Sequence, residues 1–226
     1  MTTDLVPFSI DQLPVISEER FNALDAAVQG LTNFLPRIQL VTKGKYVDTG
    51  KISPGHWGVP VGDEISDLGV SIDVLPLTCR QKALDVADRE NIITVYDPSS
   101  DEFKRIKAAP KNTGCMWGLS FLVLERKSEK LYELFFGNAS GRAESPKLKA
   151  FLPHKGSPAQ PVTLGIKYKT AKDYGWHVPV VTKCSEPIKG GPDMATTVKE
   201  IVKFVNPATG PEVVNEKDDA PKKRAR

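Results

Sequence analysis

The stretch GCMWGLSFLVLERKSEKLYELFF, residues 114–136, decides how this chain folds. Its first run, Met116–Glu125, is crowded with aromatic and branched residues and contains no helix-favouring charge pattern. Its second run, Lys130–Phe136, is similar in texture, and Arg126-Lys127-Ser128-Glu129 lies between them as a polar loop. Two such runs joined by a short polar segment predict an antiparallel hairpin. Working outward, further strands are expected at Arg37–Val41, His56–Val61, Val70–Leu77, Asn91–Tyr96, Val162–Thr170 and Trp176–Lys183, bordered by Gly, Pro, Asp and Ser. The last two form a second hairpin over Ala171-Lys172-Asp173-Tyr174-Gly175.

Helices are fewer. Ser17 to Leu31 carries an N-cap serine, two early glutamates and Phe21, Leu24, Val28 and Leu31 at helical spacing. DEFKRIKA follows Ser99/Ser100 as a short helix, and another is expected to open at Ser145-Pro146. A final helix, Met194–Val205, has one apolar face suited to docking or homo-oligomerisation. The expected organisation is a capping segment at 1–35, a β-barrel domain at 36–190, a C-terminal helix at 191–205 and a polar, disordered tail at 206–226. This is a mainly β, α+β chain. The expected architecture is an OB-like Greek-key barrel with N- and C-terminal helices, with a two-sheet sandwich as the runner-up.

The 226 residues include 31 Lys+Arg, 28 Asp+Glu and 3 His. No apolar run reaches the roughly 18 residues of a membrane span. The N-terminus lacks the basic and apolar regions of a secretory signal. Cys79, Cys115 and Cys184 are scattered without a CxxC, which fits a reducing cytoplasm. No phosphate-binding, nucleophile-elbow or metal-helix motif is present, so no cofactor and no catalytic activity are expected. The remaining metal-site reading, His177 with Cys184 and Asp173 assembled in space, is the weakest of three.

Charge is segregated. Residues 36–61 hold four bases against one acid, residues 62–102 hold ten acids against three bases, and residues 142–183 hold eight bases against two acids. Rings interleave with the bases. GKYVDTGK supplies Lys45, Tyr46 and Lys51, followed by His56-Trp57, while IKYKTAKDYGWH supplies Lys167, Lys169 and Lys172 among Tyr168, Tyr174, Trp176 and His177. Lysines neutralise phosphates and exposed rings stack on bases, so the pattern points to single-stranded nucleic acid. Alternation on the strand puts Lys167 and Lys169 on one face and Tyr168, with Ile166, on the core face. The expected contact residues are Arg37, Lys43, Lys45, Tyr46, Lys51, Trp57, Arg142, Lys147, Lys149, Lys167, Lys169, Lys172, Tyr174 and Trp176. Arg142, Lys147 and Lys149 enter as a candidate phosphate site around the start of the helix expected at Ser145, in the segment Gly137–Lys149. The alternative is a non-catalytic structural or interaction protein that uses the Met194–Val205 helix.

The stretches FLPRIQLV (34–41), DLGVSIDVLPLTCRQKALD (67–85), VYDPSSDEFKRIK (95–107), GCMWGLSFLVL (114–124) and FFGNASGRAESPKLKAFL (135–152) resemble a group of tailed-phage early proteins of the single-stranded DNA-binding type. That resemblance implies a replication or recombination accessory in the cytoplasm of an infected bacterium. Its partners would be single-stranded DNA and replication or recombination proteins.

Overall fold

The computed structural model describes residues 35–88, 90–153, 159–172 and 174–184. The helices expected at Ser17–Leu31 and Met194–Val205, and the tail, lie outside the described residues. In chain order the elements are β1 (Arg37–Val41), α1 (Lys45–Asp48), β2 (His56–Val61), β3 (Glu64–Gly69), β4 (Ile72–Asp85), β5 (Ile93–Val95), α2 (Asp101–Ala108), β6 (Cys115–Glu125), β7 (Leu131–Phe136), α3 (Ala139–Lys149), β8 (Val162–Ala171) and β9 (Tyr174–Lys183).

The strands form one sheet in the order β3-β2-β1-β7-β6-β4-β8-β9, with β5 also on β4. Every pairing is antiparallel except β1 with β7. The decisive hairpin is β6–β7, with Phe121 opposite Leu134 and Leu119 opposite Phe136. Glu125 organises its loop by accepting the N–H groups of Lys127 and Ser128. Gly118 lies in β6 where a Cβ would meet the Phe136 carbonyl, so only glycine allows this close approach.

The sheet curls. Residues from β1, β2, β4, β6, β7, β8 and β9 face one core containing Ile38, Trp57, Val74, Phe121, Leu134, Leu164 and Val181. Leu148 of α3 plugs that core, and Phe151 packs against it. Curling brings β9 towards the segment before β2, where the His177 ring lies on Gly55. Gly55 has φ +87° and no Cβ, and either feature would be lost on substitution. The end strands β3 and β9 do not pair among the described residues. The domain is therefore mainly β with few helices, built on a curled, open half-barrel. A single continuous sheet also replaces the two-sheet sandwich. A smaller cluster, Ala83 with Phe103 and Ile106, seats α2 beside β4 and β6.

Several local expectations need correction. The strand expected at Val70–Leu77 runs on to Asp85 because charged Arg80 and Lys82 find buried partners there. No strand was expected at Glu64–Gly69, which forms β3 and pairs with β2 around a turn at Gly62-Asp63. The β8–β9 connection is shorter than a five-residue loop, since Ala171 pairs with Tyr174.

The helix expected at Ser145 begins at Ala139, with Asn138 as its N-cap and Pro146 inside. Asn138 Oδ1 accepts the Gly141 N–H at 2.7 Å. Pro146 cannot donate to the Arg142 carbonyl, and the Ser145 hydroxyl donates to it instead at 3.0 Å. Asn138→Ala is expected to cost about 1 kcal/mol, read as a lower urea midpoint at unchanged slope.

Candidate nucleic-acid interface

The expected interface divides into three parts. The first, residues 37–57, is largely neutralised. Lys45 pairs with Asp63 at 3.1 Å, and Lys51 pairs with Glu64 at 2.5 Å. Hydrogen bonding to Asp63 holds the Lys45 ammonium above its ordinary value, and Lys45 in turn holds the Asp63 carboxyl below its own. The Tyr46 hydroxyl donates to the Gly62 carbonyl at 2.9 Å. Lys45 sits over the Tyr46 ring, 4.9 Å from its centre. Arg37 binds Glu133. Lys43 is exposed in the segment after β1. Trp57 is not a stacking surface: it is 1% exposed and belongs to the core. Its neighbours in sequence are polar, but alternation along β2 turns the indole inward under the curled sheet.

The second part, α3, is also mostly committed. Arg142 turns inward and donates to the carbonyls of Gly137 and Trp117, with its guanidinium 4.4 Å from the Trp117 ring centre. It braces the helix start against β6. Lys147 pairs with Glu144 at 2.8 Å, while Lys149 is exposed. Burial pushes the Glu144 carboxyl up, but Lys147 and the Val181 N–H outweigh it and hold the group below its ordinary value. Glu144 thereby accepts a backbone N–H of β9, at 3.1 Å.

The third part, the β8–β9 hairpin, keeps its lysines and both tyrosines exposed, while Trp176 and His177 are half-buried. Residues 167–170 are all exposed. Tyr174 is 67% exposed and stacks on Trp176, with ring centres 5.3 Å apart at 27°. Lys169 pairs across the ladder with Trp176, so Lys167, Lys169, Tyr174 and Trp176 share one face. Tyr168 is not a core residue: it is 57% exposed, because the hairpin extends past the end of the core. It lies on the other face against His177, at 5.0 Å, with its hydroxyl over Gly175. Lys172 occupies the turn with φ 45°.

Sequence reasoning missed a charged cluster on the sheet face opposite the core. Glu133 of β7 accepts from Lys82 of β4 at 2.7 Å and from Ser120 of β6 at 2.6 Å. Small Gly118 and Ser120 on the intervening strand leave the space for Lys82 to reach across. Arg80 stacks on Tyr96, 3.6 Å from the ring centre. Lys82, Arg80 and Glu133 are all buried. Burial lowers the Lys82 pKa, and Glu133 only partly offsets this. Burial pushes the Glu133 carboxyl up, but Lys82 and Arg37 together hold it below its ordinary value. The available signal was Arg80 and Lys82 alternating within a strand-like run.

No group of three His, Cys, Asp or Glu suited to a metal occurs among the described residues, and Asp173 lies outside them. Among the described residues no helix is long and apolar enough to cross a membrane. What the fold and its surface define is a mainly β domain with a ring-bearing, lysine-flanked hairpin at one end of an open sheet. No family model, curated protein or solved structure matches the chain.

Proposed function

We propose that the protein binds single-stranded DNA without catalysis, gripping it on the β8–β9 hairpin. The observation that carries this reading is exposed Tyr174 stacked on half-buried Trp176, flanked by exposed Lys167, Lys169 and Lys172. Tyr174 and Trp176 stack face on face, which leaves the outer face of the Tyr174 ring for a base, and the lysines neutralise neighbouring phosphates. Tyr168 and His177 extend the surface to the other side of the hairpin. The footprint is narrower than the sequence suggests, since Lys45, Lys51 and Arg142 already serve the fold. An OB-like relationship, a role in phage replication or recombination, and a host-cytoplasmic setting belong to the same proposal.

Fluorescence titration of the full chain with oligo-dT tests it. Trp176 emission is expected to be quenched saturably. With three lysines engaged, the slope of log K against log salt should be at least about −2 in single-strand binding. Absence of both quenching and a gel shift at low salt overturns the proposal.

A further inference from the structure

We propose that the cavity where β1 leaves β7 binds a small organic anion, a carboxylate carried on an apolar body. The cavity has a topological cause. β1 pairs with β7 only through Arg37 and Ile38, then turns away to pair with β2 from Gln39 onward. The gap between the diverging strands is a cavity of about 300 Å³. That is the lower end of the range for small-molecule sites, about 300–1,000 Å³.

Its walls explain the ligand class. Leu84, Met116 and Phe135 make it apolar, so a hydrocarbon or aromatic body is favoured. Trp57 also lines it, and the buried indole N–H of Trp57 has no hydrogen-bond acceptor among the described residues. An unsatisfied buried donor costs about 1–3 kcal/mol, and a ligand oxygen would remove that cost.

Two cations line the same space. Arg37 is half exposed at the mouth, and Lys82 is fully buried. Both lean on one carboxylate, Glu133, so these three groups sum to one positive charge. Only one N–H of Lys82 is directed to Glu133, which leaves others for a second acceptor. Beside a buried ammonium a carboxylate gains from this excess, whereas a neutral or cationic ligand does not. None of Lys167, Lys169, Tyr174 and Trp176 lines this cavity, so the site is separate from the hairpin surface and does not depend on the DNA reading.

The test uses the full chain with ¹⁵N-labelled indoles, titrated with phenylacetate and indole-3-acetate, and with phenylacetamide as the neutral isostere. Trp57→Phe assigns the resonance, and the indole N–H with the slowest solvent exchange provides a second assignment. At least one carboxylate should shift the Trp57 indole N–H saturably and raise the thermal midpoint. Phenylacetamide should bind about tenfold or more weakly, and Arg37→Gln should weaken the acid by about tenfold, each a loss of one charge-assisted contact. A Trp57 resonance unmoved by both acids overturns the proposal. So does equal binding of acid and amide.

Discussion

Replacing Glu133 with leucine is expected to destabilise the fold by about 3–5 kcal/mol, the largest effect of any single substitution considered. Glu133 is 2% exposed and is the carboxylate partner of buried Lys82. Without it, Lys82 must stay charged in an apolar setting or give up its proton, and Arg37 and Ser120 lose their acceptor. Against a total stability of roughly 5–15 kcal/mol, that loss is a large fraction. The urea midpoint should fall by about 2 M. Lys82→Met combined with Glu133→Leu should recover most of the loss, because a well-packed apolar pair often matches a buried ion pair. A double variant as unstable as Glu133→Leu alone would show that the cost is steric and not electrostatic.

The same cluster sets the response to acid. The folded pKa of Glu133 lies below its ordinary 4.5. Its contribution is therefore present in full above that value and disappears as pH falls through the folded pKa. Lys82 has the opposite sense. Its folded pKa lies below 10.5, so the unfolded chain binds more protons over that interval and stability gains from Lys82 as pH rises through it. The double variant should lose both contributions, and its stability should depend less on pH at each end. Urea midpoints measured from acid to alkaline pH check this.

What was legible in the sequence was local. Alternation and apolar density located β6, β7, β8 and β9, and DEFKRIKA after Ser99/Ser100 located α2, whose N-cap Ser100 accepts the Phe103 N–H. What was not legible depends on partners far along the chain. The β4 strand appeared to end at Leu77 because Arg80 and Lys82 look like surface residues. Their burial depends on Tyr96 and on Glu133, which is 51 residues beyond Lys82. The β1–β7 pairing joins Arg37 to Glu133 across 96 positions, and no local pattern encodes it. Lys45 and Lys51 were read as free cations because β3 was not foreseen, and it is the β2–β3 hairpin that returns Asp63 and Glu64 to them. Asn138 and Ser145 are both good caps in isolation; the helix begins at the earlier one, and Arg142 in its first turn reaches the Trp117 carbonyl far back along the chain. The hairpin was legible because its rings and lysines lie within one short segment.

Changing Tyr174 to alanine together with Lys167, Lys169 and Lys172 to glutamine is expected to weaken binding of oligo-dT by about a hundredfold or more. Loss of one stacking ring accounts for about 1–3 kcal/mol. Removing three phosphate contacts should flatten the log K against log salt slope by about 2, so the deficit should be greatest at low salt. The fold should tolerate the change, because all four side chains are exposed and none has an ion pair with another described residue within the hydrogen-bonded ladder. Separating the two contributions sharpens the test. Tyr174→Ala alone should lower affinity by the same factor at every salt concentration, while the triple lysine variant should converge on wild type as salt rises. Arg142→Gln is the contrasting case: its side chain braces Trp117 and Gly137, so it should lower the melting temperature with little change in DNA affinity per folded molecule. If the hairpin variants bind as wild type does while Arg142→Gln does not, the strand lies along α3, and the exposed rings of the hairpin have another use.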